Sequence, residues 1–217
     1  LKSAAVRPQA APKRAEAVFL SLSVDRMMAI VRGVFCDLDG TLVATEKANF
    51  AAYRAALGEF GIEFTWPVFL TTWGEDSRDF LPRIAPELSA GEVAGVRAAK
   101  ARHYPAFLGE TELNRPLART LQTWSGTARV ALVTTAKAGA VAAVLKHHDL
   151  TQLFSFVVTG DDTERSKPAP DPYLLALATA GLRPEDCITF EDSESDIRSA
   201  EGAGVDVGRI EWSADVA

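Results

Sequence analysis

An apolar run that ends on two carboxylates constrains this chain more than any other feature. Ala29-Ile30-Val31 and Val34-Phe35-Cys36 give way at once to Asp37-Leu38-Asp39-Gly40-Thr41. The apolar residues have the pattern of a buried strand over 30–36. Charges are costly inside a sheet core, so Asp37 and Asp39 belong at the strand's end, where the chain leaves it. Gly40 permits a sharp turn there, and Thr41 supplies a hydroxyl. In an open α/β sheet the C-terminal ends of the strands are where ligands bind.

The rest of the chain divides by periodicity. From Glu46, the residues Phe50, Tyr53, Leu57 and Phe60 recur at helical spacing, and Gly61 closes that helix. An aromatic stretch with Trp66, Phe69, Trp73 and Phe80 follows. Helices are expected over 75–84 and 90–104, the second capped by Ser89. No strong strand is visible from Glu46 to about Asn114, so this segment is a helical insertion. Beyond it, helices over Pro116–Trp124, Ala138–His147, Asp171–Ala180 and Asp196–Ala203 alternate with apolar strands. Those strands are Val130–Val133, Phe154–Val158, Cys187–Phe190 and a last one over Val205–Val207. The alternation predicts an α/β fold with a parallel sheet and helices on both faces.

Composition excludes some classes of function. A chain of 217 residues can bury a proper core, and its 47% apolar and 24% charged content is ordinary for a globular protein. A net charge of −6 argues against nonspecific binding of nucleic acid or anionic membrane. No apolar stretch is long enough to span a bilayer. Cys36 and Cys187 lie in or beside apolar runs as buried reduced thiols, which suits a cytoplasmic location. Residues 1–28 are Ala-rich, with Lys2, Arg7, Lys13, Arg14 and Arg26 against Glu16 and Asp25. That composition suits a targeting segment, but it is better taken as an extension outside the fold, disordered or a non-native start, ahead of Met27 or Met28.

Three of the four polar clusters that carry chemistry follow apolar strands. The clusters are Asp37/Asp39/Thr41, Thr134/Thr135, Ser166-Lys167-Pro168, and Glu191-Asp192 with Asp196. Parallel strands exit on the same edge, so these side chains should converge on one crevice. Asp37 and Asp39 would repel each other unless a cation sat between them. With Glu191 and Asp192 nearby, oxygen-only ligation favours Mg²⁺. This set suits phosphoryl transfer. A carboxylate can accept a phosphoryl group, hydroxyl donors and Lys167 can hold its oxygens, and Asp39 can protonate the leaving oxygen.

These segments, taken together, resemble the motifs of the haloacid dehalogenase-like (HAD) hydrolase superfamily. Asp37-Leu38-Asp39-Gly40-Thr41 is similar to its first motif and Val130–Thr134 to its second. Ser166-Lys167-Pro168-Ala169-Pro170-Asp171-Pro172 resembles the third, and Phe190-Glu191-Asp192-Ser193 the fourth. The match in order and spacing spans about 30 to 210. The resemblance implies a Rossmann-like core over 29–45 and 115–217, with a small helical cap over 46–114. Such a cap occurs in phosphoglycolate phosphatases, β-phosphoglucomutases and phosphonatases. The resemblance also makes Asp37 the nucleophile and Asp39 the general acid/base, with Thr134 and Lys167 on the phosphate. It places Mg²⁺ on Asp37, the Asp39 backbone carbonyl and Asp192. Glu191 is a less certain ligand, because related members carry Gly there. The second Asp of the pair argues against the dehalogenase branch, and Asp196 stands where mutase-like members carry Gly.

The expected activity is Mg²⁺-dependent hydrolysis of a small phosphorylated metabolite through an aspartyl-phosphate, by a monomer or weak dimer. Alternatives are a sugar-phosphate mutase using the same Asp37, a phosphonatase with Lys47 as the nearest Schiff-base candidate, and a catalytically silent binding module. Thr41, Thr134, Thr135 and Lys167 are the expected substrate contacts. Lys137, Arg78 and Arg83 are weaker candidates, and the histidines show no ligand spacing.

Overall fold

The computed structural model describes residues 31–211. The extension expected over 1–28 and the chain after 211 lie outside the described residues. The first strand, β1 (Gly33–Cys36), is buried along its whole length. It is the centre of a five-stranded sheet and pairs in parallel with β4 (Arg129–Val133) on one side and β6 (Cys187–Glu191) on the other. β5 (Phe156–Val158) and β7 (Asp206–Arg209) form the edges, giving the order β5-β4-β1-β6-β7. The chain moves outward from β1 through β4 to β5, then returns across β1 to build β6 and β7. The order therefore reverses between β1 and β6, the kind of place where a crevice opens at the C-terminal strand ends.

Strand alternation sorts the core into two layers. Val34, Cys36, Val130 and Leu132 face α5 (Arg115–Trp124) and α6 (Ala138–His147) through Leu117, Leu121, Val141 and Val144. Phe35, Ala131 and Val133 face α7 (Asp171–Ala180) and α8 (Glu194–Gly202) through Tyr173, Ala176, Leu177 and Ala200. The α/β reading of the sequence is thus met. Strand β6 runs one residue further than expected, to Glu191, and α8 starts two residues earlier, at Glu194, because Ser193 accepts from the Asp196 amide and caps it.

Four helices follow β1 as an insert: α1 (Glu46–Gly58), α2 (Trp66–Leu70), α3 (Ser77–Ile84) and α4 (Ala90–His103). Gly61, at φ +74°, ends the α1 region in a conformation that a side chain would resist. Ser89 and Glu92 form a reciprocal capping box at the start of α4. The aromatics fill this insert. Phe50 and Phe69 lie 5.6 Å apart, Tyr53 and Phe80 5.3 Å, around buried Leu57, Phe64, Leu81 and Val96. Helix α1 serves both bodies: Ala48 and Ala52 pack with Leu38 and Leu42 of the sheet region, Ala56 and Leu57 with the insert.

The chain enters and leaves the insert through a small ribbon that the sequence did not reveal. β2 (Val43–Ala44) pairs antiparallel with β3 (Glu112–Leu113), after a 3₁₀ segment at Tyr104–Glu110. A two-residue strand carries no periodicity, so the reading of Glu46 to about Asn114 as free of any strong strand did not show β3. Asn114 locks the exit to the loop that follows β1. Its amide donates to the Leu42 carbonyl (2.9 Å), its side chain donates to the Thr41 carbonyl (3.2 Å), and its Oδ1 caps α5 at Leu117 (3.1 Å).

Candidate active site

Asp37 is the first residue beyond β1, anchored by its amide to the Phe190 carbonyl (3.0 Å). The chain then turns tightly: Leu42 and Val43 both donate to the Leu38 carbonyl, and Gly40 donates to Val43. Gly40 takes φ +86°, and a Cβ there would collide with the Asp192 carboxylate. Only glycine lets the loop after β1 lie this close to the loop after β6. Thr41 completes the contact by donating to Asp192 Oδ1 (2.8 Å).

Lys167 organises the centre. Its ammonium, fully enclosed, donates to Asp37 Oδ1 (2.9 Å), Glu191 Oε1 (3.0 Å) and Asp196 Oδ2 (3.1 Å). Three acceptors use all three of its N–H groups. The loop carrying it is held by Ser199, which donates to the Ala169 carbonyl (2.6 Å). Burial works against the Lys167 charge, yet the three carboxylates together hold its pKa well above that of an ordinary lysine. Burial likewise pushes Asp37 and Glu191 well above the usual carboxylate range; Lys167 opposes this in both, the Asp196 charge adds to both, and the Asp37 charge adds to Glu191. Asp39 and Asp192 are raised too, chiefly by burial; hydrogen bonds from Thr45 and Thr41 respectively offset part of this.

One ammonium does not balance this many carboxylates. Oxygens of Asp37, Glu191, Asp192 and Asp196 all lie within 4.8 Å of one another. Glu191 Oε2 is buried and has no hydrogen-bond partner. A hard divalent cation answers both facts, because it takes oxygen ligands and supplies the missing charge. The donor set therefore fits Mg²⁺. The Asp39 carboxylate is not part of that cluster; it accepts a hydrogen bond from Thr45.

The other residues singled out in the sequence divide clearly. Thr134 is buried directly after β4, where its Oγ1 accepts from the Ala136 amide (3.1 Å). The pairing of Cys36 with Leu132 sets Asp37 level with Val133, the last residue of β4, with Thr134 next. Thr135, by contrast, is exposed. Lys137 sits on the rim, paired with Asp161 (2.9 Å) and the Gly160 carbonyl. Arg78 and Arg83 are spent on exposed pairs with Asp76 and Glu75. His103 pairs with Glu59 and His148 with Thr111.

Sequence reasoning missed two residues. Thr45, at the start of α1, holds Asp39. Lys100, on α4, lies over the rings of Tyr104 (4.2 Å) and Tyr53 (5.2 Å), and its charge acts on Asp39. Burial lowers the Lys100 pKa to about 8, against the pull of Asp39. Nothing in the local pattern marks either residue, since each meets Asp39 only through the fold.

Comparison with known proteins agrees with this architecture. The model of the haloacid dehalogenase-like hydrolase family matches residues 34–210. The chain belongs to that family of hydrolases, in the group of the phosphoglycolate phosphatases, CbbY and β-phosphoglucomutase. It is 28% identical over 176 residues to the fructose-1-phosphate phosphatase YqaB of Escherichia coli K12, covering 80% of this chain and 93% of that protein. It is 32% identical over 199 residues to a phosphoglycolate phosphatase of Salmonella choleraesuis, covering 80% and 79%. The crystal structure of CbbY from Rhodobacter sphaeroides in complex with phosphate superposes with a TM-score of 0.72 at 25% identity, covering 82% of this chain and 84% of that one. Among the described residues, no helix is long and apolar enough to cross a membrane.

Proposed function

We propose that this protein is a Mg²⁺-dependent phosphatase that hydrolyses a small phosphorylated metabolite through a phosphoryl group carried on Asp37. The observation that carries the reading is the convergence of Asp37, Lys167, Glu191, Asp192 and Asp196 at the sheet's switch point. Asp37 Oδ1 is held by Lys167, and among the described residues no hydrogen bond ties down Oδ2. That oxygen attacks phosphorus, and the ester P–O bond breaks as the Asp37–phosphoryl bond forms. Asp39 delivers a proton to the leaving oxygen. Its raised pKa suits a donor, and Thr45 orients it. Asp39 then takes a proton from the water that attacks the phosphoryl group, which frees phosphate and restores Asp37.

Lys167 and the Thr134 hydroxyl hold the phosphoryl oxygens. Thr41 keeps Asp192 in place, and Thr135 offers at most an outer contact. Asp37, the Asp39 carbonyl and Asp192 would hold Mg²⁺, with Glu191 Oε2 in reach. The ion would neutralise charge on the phosphoryl group and on the carboxylates around it. The helical insert acts as a cap over the site and excludes water during the reaction. Relatives named for fructose 1-phosphate and phosphoglycolate point to a phosphorylated sugar or small acid.

The test is phosphate release from p-nitrophenyl phosphate. Release should require Mg²⁺ and cease with a chelator, and a sugar phosphate should yield free phosphate rather than an isomer. Unchanged release after chelation, or isomer as the main product, would sink the proposal.

A further inference from the structure

Two loops leave the sheet on the edge that bears Asp37 and are tied to each other. One follows β4 and carries Thr134 to Lys137; the other follows β5 and carries Thr159 to Asp162. The Thr134 amide donates to the Val158 carbonyl (2.9 Å). Ala136 uses both of its backbone groups: its amide donates to Thr134 Oγ1 (3.1 Å), and its carbonyl accepts from the Gly160 amide (2.8 Å). With Oγ1 accepting from Ala136, the Thr134 hydroxyl proton stays available for a phosphoryl oxygen. The loops touch at Gly160, where a Cβ would lie 2.1 Å from the Thr135 carbonyl oxygen.

Asp161, the next residue, completes the tie. Helix α6 begins at Ala138, and Lys137 in front of it makes no side-chain cap. Asp161 supplies the cap from the neighbouring loop: Oδ2 accepts from the Ala138 amide (3.0 Å), and Oδ1 pairs with Lys137 Nζ (2.9 Å). Lys137 also donates to the Gly160 carbonyl (2.8 Å). A carboxylate suits this place, because the first amides of a helix lack partners and its N-terminus is partially positive. The Ala138 amide, and after it Lys137, hold the Asp161 carboxyl below the usual range. The loop that carries Asp161 has its own shape. Thr159 donates to Asp162 Oδ2 from its amide and its hydroxyl (both 2.7 Å), and the Asp161 amide donates to Thr159 Oγ1 (3.3 Å). Asp161 thus fixes Lys137 and Ala138, these lead straight back to Ala136, and Ala136 sets Thr134 Oγ1.

We infer that Asp161 is a positioning residue that acts through Ala136 on Thr134, keeping that hydroxyl where it can donate to the phosphoryl group. The inference rests on the phosphatase reading above and adds to it a side chain that governs phosphate binding without touching phosphate.

The experiment follows hydrolysis of p-nitrophenyl phosphate and measures the dissociation constant of inorganic phosphate by calorimetry with Mg²⁺, with urea unfolding alongside. Asp161→Ala is expected to raise KM and the phosphate dissociation constant by about 3- to 10-fold, the scale of a lost helix cap. Asp161→Asn keeps an oxygen for the Ala138 amide and should recover most of the loss, since Asn caps a helix as well as Asp and an exposed pair with Lys137 contributes little. The arm that separates positioning from capping alone uses Thr134→Val, which removes the hydroxyl and keeps the shape. On that background Asp161→Ala should change the phosphate dissociation constant by less than about twofold, because residues that act through one another are not additive. Unchanged KM and phosphate binding in Asp161→Ala, with or without a lower urea midpoint, would overturn the inference while leaving the phosphatase reading standing. The full loss persisting beside Thr134→Val, or Asp161→Asn as impaired as Asp161→Ala, would overturn it in the same way. Failure of the wild-type protein to release phosphate from p-nitrophenyl phosphate would overturn both.

Discussion

Asp37→Asn is expected to abolish phosphate release, lowering kcat on the order of 10⁴-fold or more, as loss of a covalent nucleophile does. The fold should survive. An amide fits the same volume at the end of β1, and Lys167 keeps Glu191 and Asp196 as acceptors. The substitution also removes one negative charge from a crowded cluster. Urea unfolding in the absence of metal should therefore show the variant as stable as wild type or more so. Residual activity near wild type, with intact structure, would rule out Asp37 as the attacking group.

Lys167→Met should have the opposite character and damage the fold itself. Asp37, Glu191 and Asp196 would lose the cation they share while remaining enclosed. Removing one partner of a buried ionic network typically costs about 3–5 kcal/mol. The variant's urea midpoint without metal should fall accordingly, and Mg²⁺ should recover part of the loss by supplying positive charge. The pH dependence has a definite sign. The pKa values of Asp37 and Glu191 are raised by folding, so the native state binds more protons than the unfolded chain. Stability of the metal-free protein then falls as pH rises above the ordinary carboxylate range. The raised Lys167 pKa contributes stability that is fully present at neutral pH and is lost only above the normal lysine range. Without Lys167 the fall with rising pH should be steeper. A variant within about 1 kcal/mol of wild type, a typical change for an ordinary substitution, would show that the network does not hold the loops together.

Much of this is legible in the sequence. The strands carry continuous apolar runs because both faces of the sheet are covered, and the helices of the α/β part show clear boundaries: α6 and α7 fall where the pattern puts them. Asp37, Lys167 and Asp192 stand beside strand ends or in a distinctive Ser-Lys-Pro-Ala-Pro segment, so local sequence marks them. What escaped is what depends on a distant partner. The β2–β3 ribbon is two residues on each side, and its two halves lie some seventy positions apart in the chain. Thr45 matters because the turn at Gly40 swings Asp39 toward it. Lys100 looks like an ordinary surface cation on α4 until Tyr53 of α1 shows which way it faces. The shape of the space under the insert is set by such long-range packing, which explains why the chemistry was readable earlier than the substrate.

The decisive measurement is acid-quench labelling during turnover, followed by peptide mapping by mass spectrometry. With Mg²⁺ and a hydrolysed phosphomonoester, the peptide containing Asp37 should carry the added mass of one phosphoryl group, and the Asp37→Asn protein should carry none. Steady phosphate release with no labelled peptide, or with the label on any residue other than Asp37, would contradict the mechanism.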